Sequence, residues 1–178
     1  MAGILDEVTF LMKVITENWS SSGLTLYNRG DITSNLPVPK VIDVRSIEPK
    51  EGRRVDADSD SAVIVVYEDS SSTTYPTMDY AVRNETFSFT IHMRVLHRRD
   101  FADNTTSRDR LRILYRILRH VLETNSLSPT ISTTVGGTVY TDSAEIIKLQ
   151  SRSEANDRKK RLLGYKLGVE MKRMGRSV

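Results

Sequence analysis

The chain contains no cysteine. That absence excludes a disulfide framework, thiolate metal sites and a cysteine nucleophile, and it fits a reducing compartment. Any apolar run of transmembrane length is also missing, and the opening MAGILDEVTFLMKVITENW has neither a basic n-region nor a small-residue cleavage site. A soluble, unsecreted chain with no membrane partner is expected. There is no glycine-rich phosphate loop, no nucleophile elbow and no histidine pair of the HExxH kind. His92, His97 and His120 have no spacing that would gather them as metal ligands. Asp56, Asp58 and Asp60 echo the first oxygen ligands of a calcium loop. The match then fails, because the sixth position is Ser61 and the twelfth is Tyr67. The tripeptide Arg29, Gly30, Asp31 is short enough to arise by chance. An enzyme is disfavoured, and the residues assign no catalytic group, cofactor or metal.

What is present is regular patterning. With 178 residues, one domain with a real core is the default. Thr86 to Asp100, TFSFTIHMRVLHRRD, sets Phe87, Phe89, Ile91, Met93 and Val95 at every second position. Successive strand side chains point to opposite faces, so this is a half-buried strand. Leu163, Tyr165, Leu167, Val169 and Met171 repeat the pattern in a long last strand. Ile4, Val8, Leu11 and Ile15 fall on one helical stripe, widened by Leu5, Met12 and Trp19, and this first helix should stop near Ser20 to Gly23. Leu24 to Pro39 reads as a long connection ending in two prolines.

Lys40 to Ile47 reads as the first strand, followed by the charged loop EPKEGRRVDADSDS. Ala62 to Tyr67, AVIVVY, is the candidate central strand, since a continuous β-branched run suits burial on both faces. A serine and threonine loop then leads into the alternating strand, which gives a hairpin. Leu111, Leu114, Leu118 and Val121 define a second helix over Ser107 to Thr124. Thr106 and Asp109 have capping-box spacing at its start, and Asn125 to Pro129 closes it. Gly136 and Gly137 mark a hairpin turn between Ile131 to Val135 and Thr138 to Thr141, and a further strand runs through Ile146, Ile147 and Leu149. The fold class expected is α+β: a mainly antiparallel sheet packed against two α-helices, in one domain over 1–178. Its extended loops cover about 20–40 and 48–61, and it ends in a basic C-terminal strand and tail.

The net charge of +3 is unevenly spread. Asp56, Asp58, Asp60, Glu68 and Asp69 make the middle acidic, whereas Arg158, Lys159, Lys160, Arg161, Lys166, Lys172, Arg173 and Arg176 crowd the end. Solvated surface accounts for part of this. Opposite-sign faces meeting between subunits, or nucleic acid, account for such asymmetry in a functional sense. Arg108, Arg110, Arg112, Arg116 and Arg119 are read as falling around the exposed side of the second helix, with few acidic neighbours. Such a stripe could neutralise phosphates, but no nucleic-acid module accompanies it, so direct nucleic-acid binding is the weaker expectation. Candidate subunit-interface residues are Asp56, Asp58, Asp60, Arg94, Arg112, Arg116, Arg158, Lys159, Lys160 and Arg161.

The order of elements, carried by LMKVITENW, VPKVIDV, TFSFTIHMRVLHR and RDRLRILYRILRHVLE, resembles a tail terminator, or tail completion protein, of tailed bacteriophages. The likeness spans most of the chain but offers no functional residue to carry over. It implies a hexameric ring that caps the tail tube and joins it to the neck. The implied partners are further copies of the chain, the tail tube protein, neck or connector proteins and the sheath, in the virion after assembly in the host cytoplasm. A closed ring needs two complementary surfaces per subunit, which an acidic loop and a basic end would supply. Another neck, head-completion or tail tube subunit is the alternative within structural proteins, and a nucleic-acid-binding accessory protein the alternative outside them.

Overall fold

The computed structural model describes residues 4–19, 40–43, 63–75, 82–96, 107–156 and 162–176. Within them lie two helices and seven strands, numbered here in chain order. Helix α1 spans Glu7–Asn18. Asp6 caps it by accepting from the Thr9 amide and the Thr9 hydroxyl, each at 2.9 Å, which satisfies an amide that the first turn leaves without a helical partner. The stripe read from sequence is displaced at its start: Ile4 precedes the helix and is 42% exposed, while Val8, Phe10, Leu11, Val14, Ile15 and Trp19 are buried.

Five strands form the main sheet in the order β1-β2-β3-β7-β6, comprising β1 (Lys40–Asp43), β2 (Val63–Thr74), β3 (Val82–Leu96), β7 (Leu162–Arg176) and β6 (Ile146–Glu154). β1 runs parallel to β2, and every other neighbouring pair is antiparallel. The expected α+β class is therefore present. The middle strand, however, is β3. Val63 to Tyr67 of the AVIVVY run lie in β2, flanked by the short β1, so the run marks a place inside the sheet and not its centre, and Ala62 lies outside the described residues. The serine and threonine loop is also corrected. Glu68 to Thr74 continues β2 beyond a bulge at Glu68/Ser70, exposed and paired with β3 from Ser70↔Ser88 to Thr74↔Asn84. Its side chains carry no apolar alternation, and the ladder to β3 is what holds it extended.

Helix α2 spans Ser107–Thr124, the range its periodicity predicts. Asn125 ends it by donating both its amide and its side-chain Nδ2 to the Val121 carbonyl. Both helices join the core on one face of the sheet. There Phe87, Phe89, Ile91, Met93 and Val95 of β3 and Tyr165, Leu167, Val169 and Met171 of β7 meet Leu114, Ile117, Leu118 and Val121 of α2. Burying one such side chain stabilises the fold by roughly 1.5–3 kcal/mol, so the alternation of β3 and β7 is the main source of cohesion. The opposite face of β3 carries Ser88, Thr90, His92 and Arg94, and no helix among the described residues covers it. Gly164 of β7 is buried, and a Cβ there would stand 2.7 Å from the Met93 carbonyl oxygen. No other residue fits without moving backbone.

A separate two-stranded sheet pairs β4 (Thr130–Val135) with β5 (Thr138–Ser143). Gly136 and Gly137 take φ of +57° and +81°, the positive values that a two-residue turn of this hand demands. The thirty-odd residues expected as loops, with the Thr106 cap and Val44 to Ile47 of the first strand, lie outside the described residues.

Candidate functional site

Three surfaces and one buried cluster hold the polar side chains that could serve a function. The first is a groove between α2 and the sheet. Arg112, Arg116 and Arg119 follow one another at four and three residue steps, which places them on one side of α2. Facing them are Arg152 and Glu154 of β6 and Tyr165 of β7, brought alongside by the pairing Glu154↔Tyr165. The groove encloses about 530 Å³. Tyr115 and Tyr165 meet edge to face with ring centroids 5.4 Å apart. The Arg152 guanidinium lies over both rings, 4.7 Å from the first centroid and 5.1 Å from the second. Cation–π contact with two rings favours this placement of an otherwise exposed guanidinium. Arg119 donates to Glu123 at 2.7 Å, and this bond raises the guanidinium pKa above its already high ordinary value. Arg112 lies 3.9 Å from Asp109.

Acidic neighbours are thus less scarce on α2 than its sequence suggests. Nor are all five arginines on its exposed side. Arg110 is 6% exposed, because it stands one turn before Leu114 on the core-facing stripe, where its methylene stem can be buried.

The second surface is the helix-free face of the sheet. His92 is half-buried there, opposite Lys166 on β7. Burial, with the positive charges of Arg94 and Lys166, holds its pKa below the ordinary histidine value, against a smaller opposing pull from Asp69. Asp69 in turn accepts from the Thr90 hydroxyl. The third surface is the β4–β5 hairpin. Ile131 and Asp142 anchor its base in the protein, at 3% and 1% exposure. At its far end Val135 and Val139 are 55% and 63% exposed. The register Thr134↔Val139 and Val135↔Thr138 puts these two valines on opposite faces of the hairpin.

The buried cluster centres on Arg173 of β7. Its guanidinium meets Asp142 at 3.2 Å and Glu7 at 3.6 Å, donates to the carbonyls of Leu5 and Ser143 at 3.3 Å each, and lies 5.2 Å from the centroid of Phe10. Asp142 also accepts from the Leu5 amide at 3.4 Å. One side chain thereby joins the start of α1, the base of the hairpin and the last strand. Read from sequence as part of a basic end, Arg173 is a structural tie.

Of the residues predicted to form an interface, Arg112 and Arg116 share the groove. Arg94 does not join them, since it lies on the other face of the sheet. Asp56, Asp58, Asp60, Arg158, Lys159, Lys160 and Arg161 lie outside the described residues, as does His97. Arg152, Tyr115 and Tyr165 were not singled out in sequence. Tyr165 was visible as one of the alternating apolar positions, but only the pairing of β6 with β7 shows that it meets Arg152. Among the described residues, no cluster of three or more His, Asp or Glu side chains could hold a metal ion, and no helix is long and apolar enough to cross a membrane. No protein-family profile matches the chain, and comparison with curated proteins gives no match.

Proposed function

We propose that this chain is a structural subunit of a tailed-phage virion, a tail terminator that assembles with its own copies into a ring capping the tail tube at the neck. The reading rests on the resemblance of LMKVITENW, VPKVIDV, TFSFTIHMRVLHR and RDRLRILYRILRHVLE to that family. The observation that carries it is the β4–β5 hairpin, rooted by Ile131 and Asp142 and ending in Val135 and Val139 at 55% and 63% exposure. An isolated hairpin is marginal in water, and apolar side chains at its end gain most from burial against a neighbour. An arm projecting beside the sheet is the kind of asymmetric feature a head-to-tail ring contact uses.

Negative-stain microscopy of the full chain at high concentration tests this. Rings of uniform diameter are expected, with antibody to the chain labelling the head-to-tail junction of intact particles. Label confined to another part of the particle would favour a different neck, head-completion or tail tube subunit. A second reading, a nucleic-acid-binding accessory protein, draws on the arginine groove of α2. It predicts retention on DNA that falls steeply with salt.

A further inference from the structure

We infer that the groove between α2 and β6 is a receptor for an acidic peptide segment, and that its occupant is the Asp56–Asp60 stretch of a second copy of the chain. The choice of a second copy rests on the ring reading; the ligand class rests on the groove. Four guanidiniums line it, from Arg112, Arg116, Arg119 and Arg152. Asp109 engages Arg112 at 3.9 Å and Glu123 engages Arg119 at 2.7 Å, whereas Arg116 and Arg152 have no ion pair among the described residues. The guanidinium is a planar fork that matches a carboxylate, and the two tyrosine rings favour one placement of that of Arg152, so less freedom is lost on binding.

The charge balance of the groove favours this ligand over a nucleic acid. Along α2, Arg112, Arg116 and Arg119 are separated by about 6 Å and about 4.5 Å of axial rise. In an extended peptide, alternate side chains on one face are about 6.8 Å apart, close to the about 6 Å between Arg112 and Arg116 but wider than the about 4.5 Å on to Arg119, a difference that the flexible arginine stems can span to reach an Asp-x-Asp-x-Asp segment. Asp56, Asp58 and Asp60 are such a segment. Glu123 and Glu154 line the same groove and offset two of its four guanidiniums, which leaves charge for a short acidic segment and little for a continuous run of phosphates.

The test is fluorescence anisotropy of a labelled peptide with the sequence of residues 54–62, titrated with the full chain carrying Asp56→Asn, Asp58→Asn and Asp60→Asn so that its own segment does not compete. Saturable binding is expected. It should weaken by about tenfold when the peptide aspartates become asparagine, and by about tenfold in Arg116→Glu or Arg152→Glu, one charge-assisted contact being lost in each protein variant. Arg83→Glu, outside the groove, is the control, and an unchanged Tm shows that each variant is folded. Equal binding of the acidic and asparagine peptides overturns the proposal. So does indifference to Arg116→Glu and Arg152→Glu, or a DNA duplex that displaces the peptide and binds more tightly through the same arginines. A chain that binds the peptide yet stays monomeric at every concentration overturns the second copy as the source. One that forms rings but ignores the peptide overturns the groove's role and leaves the ring reading intact.

Discussion

Arg173 shows how far a residue's sequence context can mislead. In the sequence it is one of a crowd of C-terminal cations, yet its side chain is only 12% exposed and its partners, Glu7, Leu5 and Asp142, are distant along the chain. Replacing it with methionine strands the Asp142 carboxylate, which is wholly buried, and is expected to cost about 3–5 kcal/mol in urea denaturation. Asp142→Asn removes the charge but keeps the shape, and because Arg173 retains Glu7 and two carbonyls the expected cost is smaller, about 1–2 kcal/mol. Equal costs would mean the cluster is not cooperative. His92 gives a pH signature. Burial, Arg94 and Lys166 depress its folded pKa, so just below the unfolded value of about 6.5 the unfolded chain binds the extra proton. Stability from this residue is complete above that value and is lost as pH falls toward the folded pKa. The Tm of His92→Gln should drop less between neutral and mildly acidic pH than that of the wild type; parallel curves would remove His92 from the account. Neither role was legible in sequence, because each depends on which strands become neighbours. The groove was half legible: Arg112 and Arg116 follow from helical spacing, while Arg152 and Tyr165 arrive from strands far along the chain.

Elements were legible where their cause is local. The apolar stripe of α2 lies within its own residues, and the range read from it coincides with the helix observed. The turn at Gly136 and Gly137 was equally plain, since only a few residue types accept its positive φ. Gly137→Val is therefore expected to destabilise the protein by about 1–2 kcal/mol, whereas Gly136→Asn should be nearly neutral, as thermal unfolding can check. The polar half of β2 escaped for the opposite reason. Glu68 to Thr74 has no buried side to impose alternation, and it is extended because β3 supplies partners along its length. Apolar periodicity thus explains α1, α2, β3 and β7 from sequence, whereas β2 needs its neighbour. The same reasoning fixes the weak point of β7: Gly164→Ala would force a Cβ to 2.7 Å from the Met93 carbonyl oxygen, so a folding defect is expected there although alanine is small.

At the scale of the whole molecule, the proposed ring would draw its contacts from the hairpin, the sheet face that no described helix covers and the arginine groove. Under the proposed function these surfaces join copies. Charge at the end of the hairpin should then separate subunits without unfolding them. Val135→Asp and Val139→Asp are expected to leave the Tm within a degree or two, because both side chains are more than half exposed, while shifting the assembly toward monomer. The most direct measurement is native mass spectrometry of the full chain over a concentration series. A single closed species, a hexamer by the resemblance, converting to monomer in the double aspartate variant, is the predicted result. A wild-type chain that remains monomeric throughout, or that forms an open ladder of sizes untouched by the substitutions, would contradict it.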